Sequence, residues 1–258
     1  MNSDKIALFA DALFNAEQSR LGIAPLTEQG AVTVEDAYRI QLANIKRALD
    51  MGHAISGKKI GLTSEGIQKQ LGVNEPDYGH LFAAMECADG KINTGELMQP
   101  KIEGEIAFIL RADLAGGKVT TEDVIAATDY VCAAFEIVDS RVADWKIKLP
   151  DTVADNASSG RYTLGSVKLK LSEIDLSAVS LKLYKNGELV NEGSGAEVMG
   201  DPCRAVAWLA NKLWDFGVTL NAGEVILSGA FSAAPAAAKG DKFTAEFSSF
   251  GTVEAEFV

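Results

Sequence analysis

The sequence is poor in the residues that build disulfide frameworks, cysteine zinc sites and histidine-based catalytic centres. It has three cysteines and two histidines among 258 residues. Cys87, Cys132 and Cys203 are odd in number, widely spaced and without a C-x-x-C pair, which argues against a disulfide framework and against a zinc site. We therefore expect reduced, partly buried thiols in a cytoplasmic protein.

Positive charge and long apolar runs are also scarce. Lys and Arg total 24 against 36 Asp and Glu, so the net charge is −12. A nucleic acid or an anionic membrane would require a basic face, and neither is expected as a partner. No apolar stretch approaches the ~20 residues that span a bilayer. The N-terminal MNSDKIALFADALFNAEQ has the pattern of an amphipathic helix rather than a signal peptide.

Residues 1–54 have the pattern of a helical portion. Ser3 or Asp4 is expected to cap a first helix, whose apolar residues recur at helical spacing. Thr33 begins T-x-x-D, close to a capping box, ahead of a second helix that Gly52 closes.

Residues 55–258 have the pattern of a β-rich body. Asn186-Gly187 lies between alternating residues and is a strong hairpin signal. Other strand-like runs, each bounded by turn residues, are AISGKKIGLT, EIAFIL, AAFEIVD, EVILSGA and FTAEFSSFGTVEAEFV.

Two helices are expected inside this body. Thr120 caps EDVIAATDYV, and Asp201-Pro202 starts a helix that runs to Gly217. The chain shows no internal repeat and no clean linker. The predicted fold class is therefore α+β, with a helical N-terminal portion at 1–54 and a β-rich body at 55–258 that can also form one continuous domain with it.

Paired glutamates in KIEGEIAFIL are the first candidates for chemistry. Residues i and i+2 of a strand share a face, so Glu103 and Glu105 project side by side next to a buried apolar run. Glu136 lies in a second apolar run, CAAFEIVDSR, where a lone carboxylate would be costly. A hard cation such as Mg²⁺, Mn²⁺ or Ca²⁺ would relieve the repulsion between them. The alternative is an exposed strand face that carries solvated acids.

Other polar residues fit both functional and purely structural interpretations. Lys59 in GKKIGLTS could transfer a proton, although a pair such as Lys58 and Lys59 is more typical of surface charge. Asp77 and His80 fall in EPDYGHLF, interpreted as a Pro-Gly loop, and His80 is more typical of a structural residue. The segment DTVADNASSGRY suits either a carboxylate-binding turn or an ordinary tight turn. The sequence contains no P-loop, no G-x-G-x-x-G and no Ser-His-Asp motif.

Several longer strings occur in order from about residue 33 to the C-terminus: GKKIGLTS, EPDYGHLF, QPKIEGEIAFIL, FEIVDSRVADWKIK, DTVADNASSG, AWLANKL and EVILSGA. Together they resemble the hydratase/decarboxylase branch of the fumarylacetoacetate hydrolase superfamily. The resemblance implies a β-rich roll of mixed sheets with an appended helical N-terminal part. Gly104 stands where many members carry alanine, a change expected to leave the neighbouring carboxylates in place.

The resemblance also implies roles for individual residues. The motif G-x-K-x-G-L-T places the proton-carrying lysine at Lys59 rather than Lys58. The expected site comprises metal ligands Glu103, Glu105 and Glu136 for Mg²⁺ or Mn²⁺, proton-transfer residues Lys59 and Asp77, and substrate-binding residues Ser158, Asn156 and Ser228.

The implied reaction is hydration of a 2-hydroxy-2,4-dienoate to a 4-hydroxy-2-oxo acid in aromatic meta-cleavage catabolism. One alternative is decarboxylation of a 2-oxo-3-enedioate of the 4-oxalocrotonate type, which needs the same metal and electron sink. Another is a non-catalytic partner of such an enzyme. The resemblance further implies a homo-oligomer, pentameric or decameric, and association with a paralogous decarboxylase or a downstream aldolase.

Overall fold

The computed structural model describes residues 1–258, except for the side chains of Gln70 and Leu71. Helices α1 and α2 occupy the first 54 residues, and the others lie between strands. The helices are α1 Ser3–Ser19, α2 Val34–Asp50, α3 Glu65–Leu71, α4 Thr121–Ala127, α5 Leu149–Ala154 and α6 Pro202–Trp214.

A six-stranded mixed sheet holds most of the polar residues of interest. Its order is β2-β1-β9-β4-β5-β6, and only the β1–β9 pair is parallel. The strands are β1 Ile55–Gly61, β2 Asp77–Phe82, β4 Lys101–Leu110, β5 Thr128–Val138, β6 Ser159–Leu164 and β9 Val225–Leu227.

A second, five-stranded sheet lies against the first. Its order is β3-β11-β10-β7-β8, and the β7–β8 hairpin turns at Asn186 and Gly187, both with positive φ, as predicted. The strands are β3 Lys91–Ile92, β7 Ser180–Lys185, β8 Glu188–Ser194, β10 Lys242–Phe247 and β11 Gly251–Phe257.

The two faces of the six-stranded sheet have different surroundings. Residues such as Phe108 and Phe135 join Leu183 and Phe247 of the second sheet in the main hydrophobic core. The opposite face carries a smaller apolar cluster that includes Ala107. Because side chains alternate along a strand, Glu103 and Glu105 share the face of Ala107. We call this the carboxylate face, and the other the core face.

The α+β architecture with mixed sheets is confirmed, while several local expectations are wrong. Asn2, rather than Ser3 or Asp4, caps α1, since its side chain accepts a hydrogen bond from the Lys5 N–H. The segment predicted as a loop around Asp77 is the fully buried strand β2. The helix after Thr120 ends at Ala127, and the rest of its predicted length, 128–131, belongs to β5.

The N-terminal helices attach directly to the β-rich body. Gln41 of α2 donates 2.9 Å hydrogen bonds to the carbonyls of Tyr78 in β2 and Val153 in α5. The Thr33 capping box with Asp36 begins α2 as predicted. A separate folding unit at 1–54 stays a prediction. Among the helices described, none combines the length and apolar character needed to cross a membrane.

Candidate active site

Three carboxylates meet where β4 and β5 pair. Glu103 lies directly opposite Glu136 in the antiparallel register, and Glu105 follows on the same face two residues later. One oxygen from each residue lies within 4.8 Å of the others. Glu105 and Glu136 are 0% exposed, and Glu103 is partly buried. This burial excludes the alternative of solvated acids on an open strand.

Burial raises the pKa values of all three glutamates, and neighbouring glutamates add to the rise for Glu103 and Glu105. Burial and the charge of Glu136 raise the pKa of Glu103 to about 7. Burial, followed by Glu136 and Glu103, raises the pKa of Glu105 well above its usual value. The pKa of Glu136 is raised by burial despite the opposing effect of Lys59. Three carboxylates at this distance therefore need a cation if all are to be ionised.

Lys59 places its ammonium within the carboxylate cluster. It extends from β1 onto the carboxylate face, and its Nζ lies 3.1 Å from Oε1 of Glu136. Burial alone would lower the pKa of Lys59, but Glu136, Asp77, Glu103 and Glu105 raise it above its usual value. A lysine held in this way is protonated at neutral pH. A cation bound by the same carboxylates would offset their charge and lower the Lys59 pKa, which would make its proton easier to donate.

Asp77 lies beside Lys59 because β1 and β2 are paired. Its register partner is Gly61, where an added Cβ would collide with the Asp77 carboxylate and approach the Lys59 Nζ at 3.4 Å. Because Gly61 has no side chain, this space is available to the Asp77 carboxylate and the Lys59 ammonium. Burial raises the pKa of Asp77, and Lys59 acts in the opposite direction.

The donor set suits a hard divalent cation. Oε1 of Glu105 and Oε2 of Glu136 are buried and have no hydrogen-bond partner among the described residues. The second oxygen of Glu105 accepts a 2.8 Å hydrogen bond from the Gly229 N–H, which fixes the carboxylate's orientation. Buried carboxylate oxygens without partners are costly. A cation with oxygen preference, such as Mg²⁺ or Mn²⁺, would satisfy them.

Ser158 lies in an unusual left-handed turn between α5 and β6. Asn156, Ala157 and Ser158 have φ values of 55°, 49° and 54° in succession. Such conformations are disfavoured for non-glycine residues and persist where the surrounding structure enforces them. Here the Ser158 carbonyl accepts a 2.8 Å hydrogen bond from the Asp139 N–H, and its Oγ lies 3.3 Å from Oγ1 of Thr152.

Asn156 and Ser228 have different surroundings. The amide of Asn156 pairs with the backbone of His80, accepting from its N–H at 2.7 Å and donating to its carbonyl at 2.9 Å. Both polar atoms of Asn156 are therefore bonded to the backbone at the edge of β2, and neither is left without a partner for a substrate to satisfy. The hydroxyl of Ser228 is buried and has no partner among the described residues, next to Gly229 and its bond to Glu105.

Lys58 is buried, which makes its interpretation as surface charge wrong. It extends onto the core face, and its ammonium donates to both oxygens of Glu224 at 2.6 and 2.7 Å. His80 lies opposite Lys58 in the register, and burial lowers the pKa of this imidazole to about 3. His80 is thus neutral, as expected of a structural histidine. His53 is exposed and just follows α2, also as expected.

The residues that support the Ser158 turn were not predicted from the sequence. Arg141 donates to the Asp155 carboxylate and to the carbonyls of Asp155 and Ser159. Both side chains of this ion pair are buried. The segment D-S-R follows directly after the buried strand that carries Glu136. Its two charged residues were the available signal, because charges next to a buried strand need partners.

Comparison with known proteins assigns the family. Residues 84–258 match the family described as fumarylacetoacetate (FAA) hydrolase, C-terminal. The chain is 46% identical over 249 residues to 2-hydroxyhexa-2,4-dienoate hydratase of Comamonas testosteroni, covering 95% of this chain and 94% of the relative. The chain belongs to the fumarylacetoacetate hydrolase family.

Two further relatives are a hydratase and a decarboxylase. A 2-keto-4-pentenoate hydratase of Paraburkholderia xenovorans (strain LB400) is 47% identical over 250 residues, 96% of this chain and 93% of the relative. The structure of 4-oxalocrotonate decarboxylase from Pseudomonas putida G7, complexed with magnesium and adipate, superposes with a TM-score of 0.96 at 37% identity. It covers 100% of this chain and 99% of that chain.

Proposed function

We propose that this protein is a metal-dependent hydratase that converts a 2-hydroxy-2,4-dienoate into a 4-hydroxy-2-oxo acid. The observation that carries the proposal is the buried cluster of Glu103, Glu105 and Glu136 around the Lys59 ammonium. Relatives named as dienoate or 2-keto-4-pentenoate hydratases support the choice of reaction, since they are 46–47% identical over nearly the whole chain.

Glu103, Glu105 and Glu136 are the proposed ligands of a divalent cation, Mg²⁺ or Mn²⁺. When bound, the cation supplies Lewis-acid stabilisation of the enolate form of the substrate. The magnesium in the related decarboxylase structure supports the class of ion.

Lys59 is the proposed proton donor. In the net reaction, C5 and C3 of the dienoate each gain a proton and the 2-hydroxyl loses one. Water supplies the hydroxyl at C4 and the second of the two protons. Lys59 carries the proton for the first of these transfers because its carboxylate neighbours keep it charged. A cation held by those carboxylates would offset their charge and lower the Lys59 pKa toward the range of a proton donor. Asp77 lies close enough to orient the ammonium or the incoming water.

Ser158 and Ser228 are the proposed contacts to the substrate's carboxylate. Ser158 is held rigidly by its left-handed turn, and the Ser228 hydroxyl lacks a partner among the described residues. Rigid hydroxyl donors lose little entropy on binding an anion. Asn156, predicted from the sequence as a further contact, serves instead as a support in this proposal, because His80 engages both of its polar atoms.

Decarboxylation of a 2-oxo-3-enedioate is the second candidate function. The TM-score of 0.96 to a 4-oxalocrotonate decarboxylase favours it, and the same carboxylates and lysine would serve that reaction. A non-catalytic partner is disfavoured, because Lys59 lies among the three glutamates and Asp77, and burial beside other carboxylates raises the pKa values of Glu103 and Glu105.

An assay of both substrates with Mg²⁺ tests the proposal. We expect 2-hydroxypenta-2,4-dienoate to be converted to 4-hydroxy-2-oxopentanoate, with little CO₂ released from 4-oxalocrotonate under the same conditions. The Lys59→Met variant is the matched control and should lose turnover of either substrate. Rapid CO₂ release from 4-oxalocrotonate without hydration of the dienoate would replace the first function by the second.

We further propose that the enzyme works in the cytoplasm as a homo-oligomer, and that it can associate with a paralogous decarboxylase or a downstream aldolase. The likeness to the hydratase/decarboxylase relatives supports this. Light scattering of the purified chain, alone and mixed with such a decarboxylase, measures both assemblies.

A further inference from the structure

Lys101 lies at the open end of the carboxylate site. It begins β4, two residues before Glu103 and four before Glu105, so all three side chains project from the carboxylate face. Glu105 is fully buried, whereas Glu103 and Lys101 are only partly buried. The site therefore opens to solvent at the end of β4 that carries Lys101.

The ammonium of Lys101 has no carboxylate partner of its own. Its Nζ lies 4.3 Å from the centre of the Trp145 ring, and it forms no ion pair among the described residues. Two other cations near the site are already engaged, since Lys59 pairs with Glu136 and Arg141 belongs to a buried ion pair. The charge of Lys101 thus remains available to a ligand.

Trp145 is held rigidly against this ammonium. Its φ of 54° is rare for a large side chain and persists where the surrounding structure enforces it. The indole N–H donates a 2.9 Å hydrogen bond to the carbonyl of Gln99, two residues before Lys101. The side chain of Gln99 donates in turn to the carbonyls of Ser140 and Val142. The ring therefore holds the ammonium at the mouth of the site through a cation–π contact.

The charge balance of the site calls for one more cation when an anion binds. Asp77 and the three glutamates carry four negative charges when ionised, and Lys59 carries one positive charge. With a divalent ion bound, these groups would leave a net charge of −1, which repels a substrate carboxylate. Inclusion of Lys101 brings the net charge to zero.

Lys101 also lies near the turn that carries a proposed substrate contact. It pairs with Val138 of β5, and Val138 pairs with Ser159 of β6, the residue after Ser158. Two strand spacings, roughly 10 Å, thus separate the backbones of Lys101 and Ser159. A lysine side chain and a bound carboxylate together span that distance.

We propose that Lys101 is a substrate-binding residue, whose ammonium pairs with the carboxylate of the 2-hydroxy or 2-oxo acid at the mouth of the site, and that Trp145 positions it. This role rests on the proposed function and extends it. The ammonium supplies the positive charge that the neutral hydroxyls of Ser158 and Ser228 lack.

Binding of 2-oxopentanoate, a saturated monoanion, to the Mn²⁺-loaded full chain tests Lys101 without turnover. In isothermal titration calorimetry, Lys101→Met should bind it at least about tenfold more weakly, because a charge-assisted contact is lost. Lys101→Arg should restore most of the affinity. The Mn²⁺ affinity of Lys101→Met, followed by electron paramagnetic resonance, should be unchanged or tighter, since a positive charge that acts on Glu103 is removed.

Two further variants separate the site from its surroundings. Lys146 adjoins Trp145 but is exposed and paired with Asp144, so Lys146→Met should bind 2-oxopentanoate like the wild type. Trp145→Leu should weaken binding less than Lys101→Met does. The double variant Lys101→Met/Trp145→Leu should bind no more weakly than Lys101→Met alone, and additive losses would overturn the positioning role of Trp145.

The role of Lys101 is overturned if Lys101→Met, shown to be folded by circular dichroism, binds 2-oxopentanoate as the wild type does. It is also overturned if Lys146→Met weakens binding equally, if Mn²⁺ affinity falls as much as anion affinity, or if the wild type shows no saturable binding. Dienoate hydration is measured separately. A wild type that binds 2-oxopentanoate through Lys101 without hydrating the dienoate would overturn the hydratase function alone.

Discussion

Lys58 and Lys59 are adjacent in the sequence and yet lie in opposite electrostatic environments. On the core face, the ammonium of Lys58 pairs with the single carboxylate of Glu224, which also accepts bonds from Asn221. On the carboxylate face, the ammonium of Lys59 lies among the carboxylates of Asp77, Glu103, Glu105 and Glu136. Charge is balanced on the first face and strongly negative on the second.

This difference separates a structural ion pair from a candidate functional site. A balanced buried pair satisfies its own charges and gains nothing from a further ion. A cluster with excess negative charge is stable only if protons or a cation neutralise it. Burial of a lysine is therefore no indication of catalysis by itself; the count of charges around it is the more informative observation.

Exchange of each lysine for methionine should separate the two environments by the largest effect. Lys59→Met is expected to lower kcat by about 10²–10⁴, the usual contribution of a positioned proton donor. Lys58→Met should leave kcat within a few-fold of the wild type in protein that remains folded. Steady-state hydration rates with saturating Mg²⁺ measure both, and an equal loss of kcat in the two variants would contradict the separation of faces.

Removal of the Lys58 partner should cost stability rather than chemistry. Glu224→Gln leaves a buried ammonium without its counter-charge, and the free energy of unfolding should fall by about 3–5 kcal/mol. The double variant Lys58→Met/Glu224→Gln removes both charges and should recover most of that loss. Urea unfolding measures the three values. A loss below about 1 kcal/mol in Glu224→Gln would mean that the pair is far better solvated than its burial indicates.

His80 gives the core face a pH dependence. Its pKa is about 3 in the folded protein, so between that value and its unfolded value near 6.5 the unfolded chain binds the extra proton. Stability is thus fully present above pH 6.5 and falls by about 1.4 kcal/mol per pH unit below it. In the His80→Phe variant, the free energy of unfolding measured with urea should decline less steeply between pH 6.5 and 4. Identical slopes in the variant and the wild type would show that His80 is not the source of the pH dependence.

Gly104→Ala should have the smallest effect and should be confined to the core face. An added Cβ would lie 2.9 Å from the Leu181 side chain, in the packing between the two sheets. We expect a loss of about 1 kcal/mol in unfolding free energy, as in mild overpacking. Mn²⁺ affinity should be unchanged, because Glu103 and Glu105 point to the opposite face. A tenfold weaker Mn²⁺ affinity would show that the faces are mechanically coupled.

Local signals predicted the elements that depend on neighbouring residues. The capping box at Thr33 and the hairpin at Asn186-Gly187 need only a few residues to specify them, and both were confirmed. The E-x-E strand likewise placed Glu103 and Glu105 on one face.

Features that depend on distant partners were not predictable in the same way. Lys58 is buried because Glu224, 166 positions away, pairs with it, and no local pattern reports such a partner. The segment that forms strand β2 has the composition of a loop, because Pro-Asp-Tyr-Gly is typical of a turn. Its backbone is satisfied by distant partners, since β1 pairs along one edge and Asn156 bonds to the other.

Titration of the metal-free protein with Mn²⁺, followed by electron paramagnetic resonance, tests whether Glu103, Glu105 and Glu136 form a metal site. We expect one bound ion per chain, with affinity at least about tenfold weaker in Glu105→Gln, where one carboxylate of the cluster is neutral. The double variant Lys58→Met/Glu224→Gln, changed only on the core face, should bind like the wild type. Wild-type affinity in Glu105→Gln, or no saturable site in the wild type, would contradict the account.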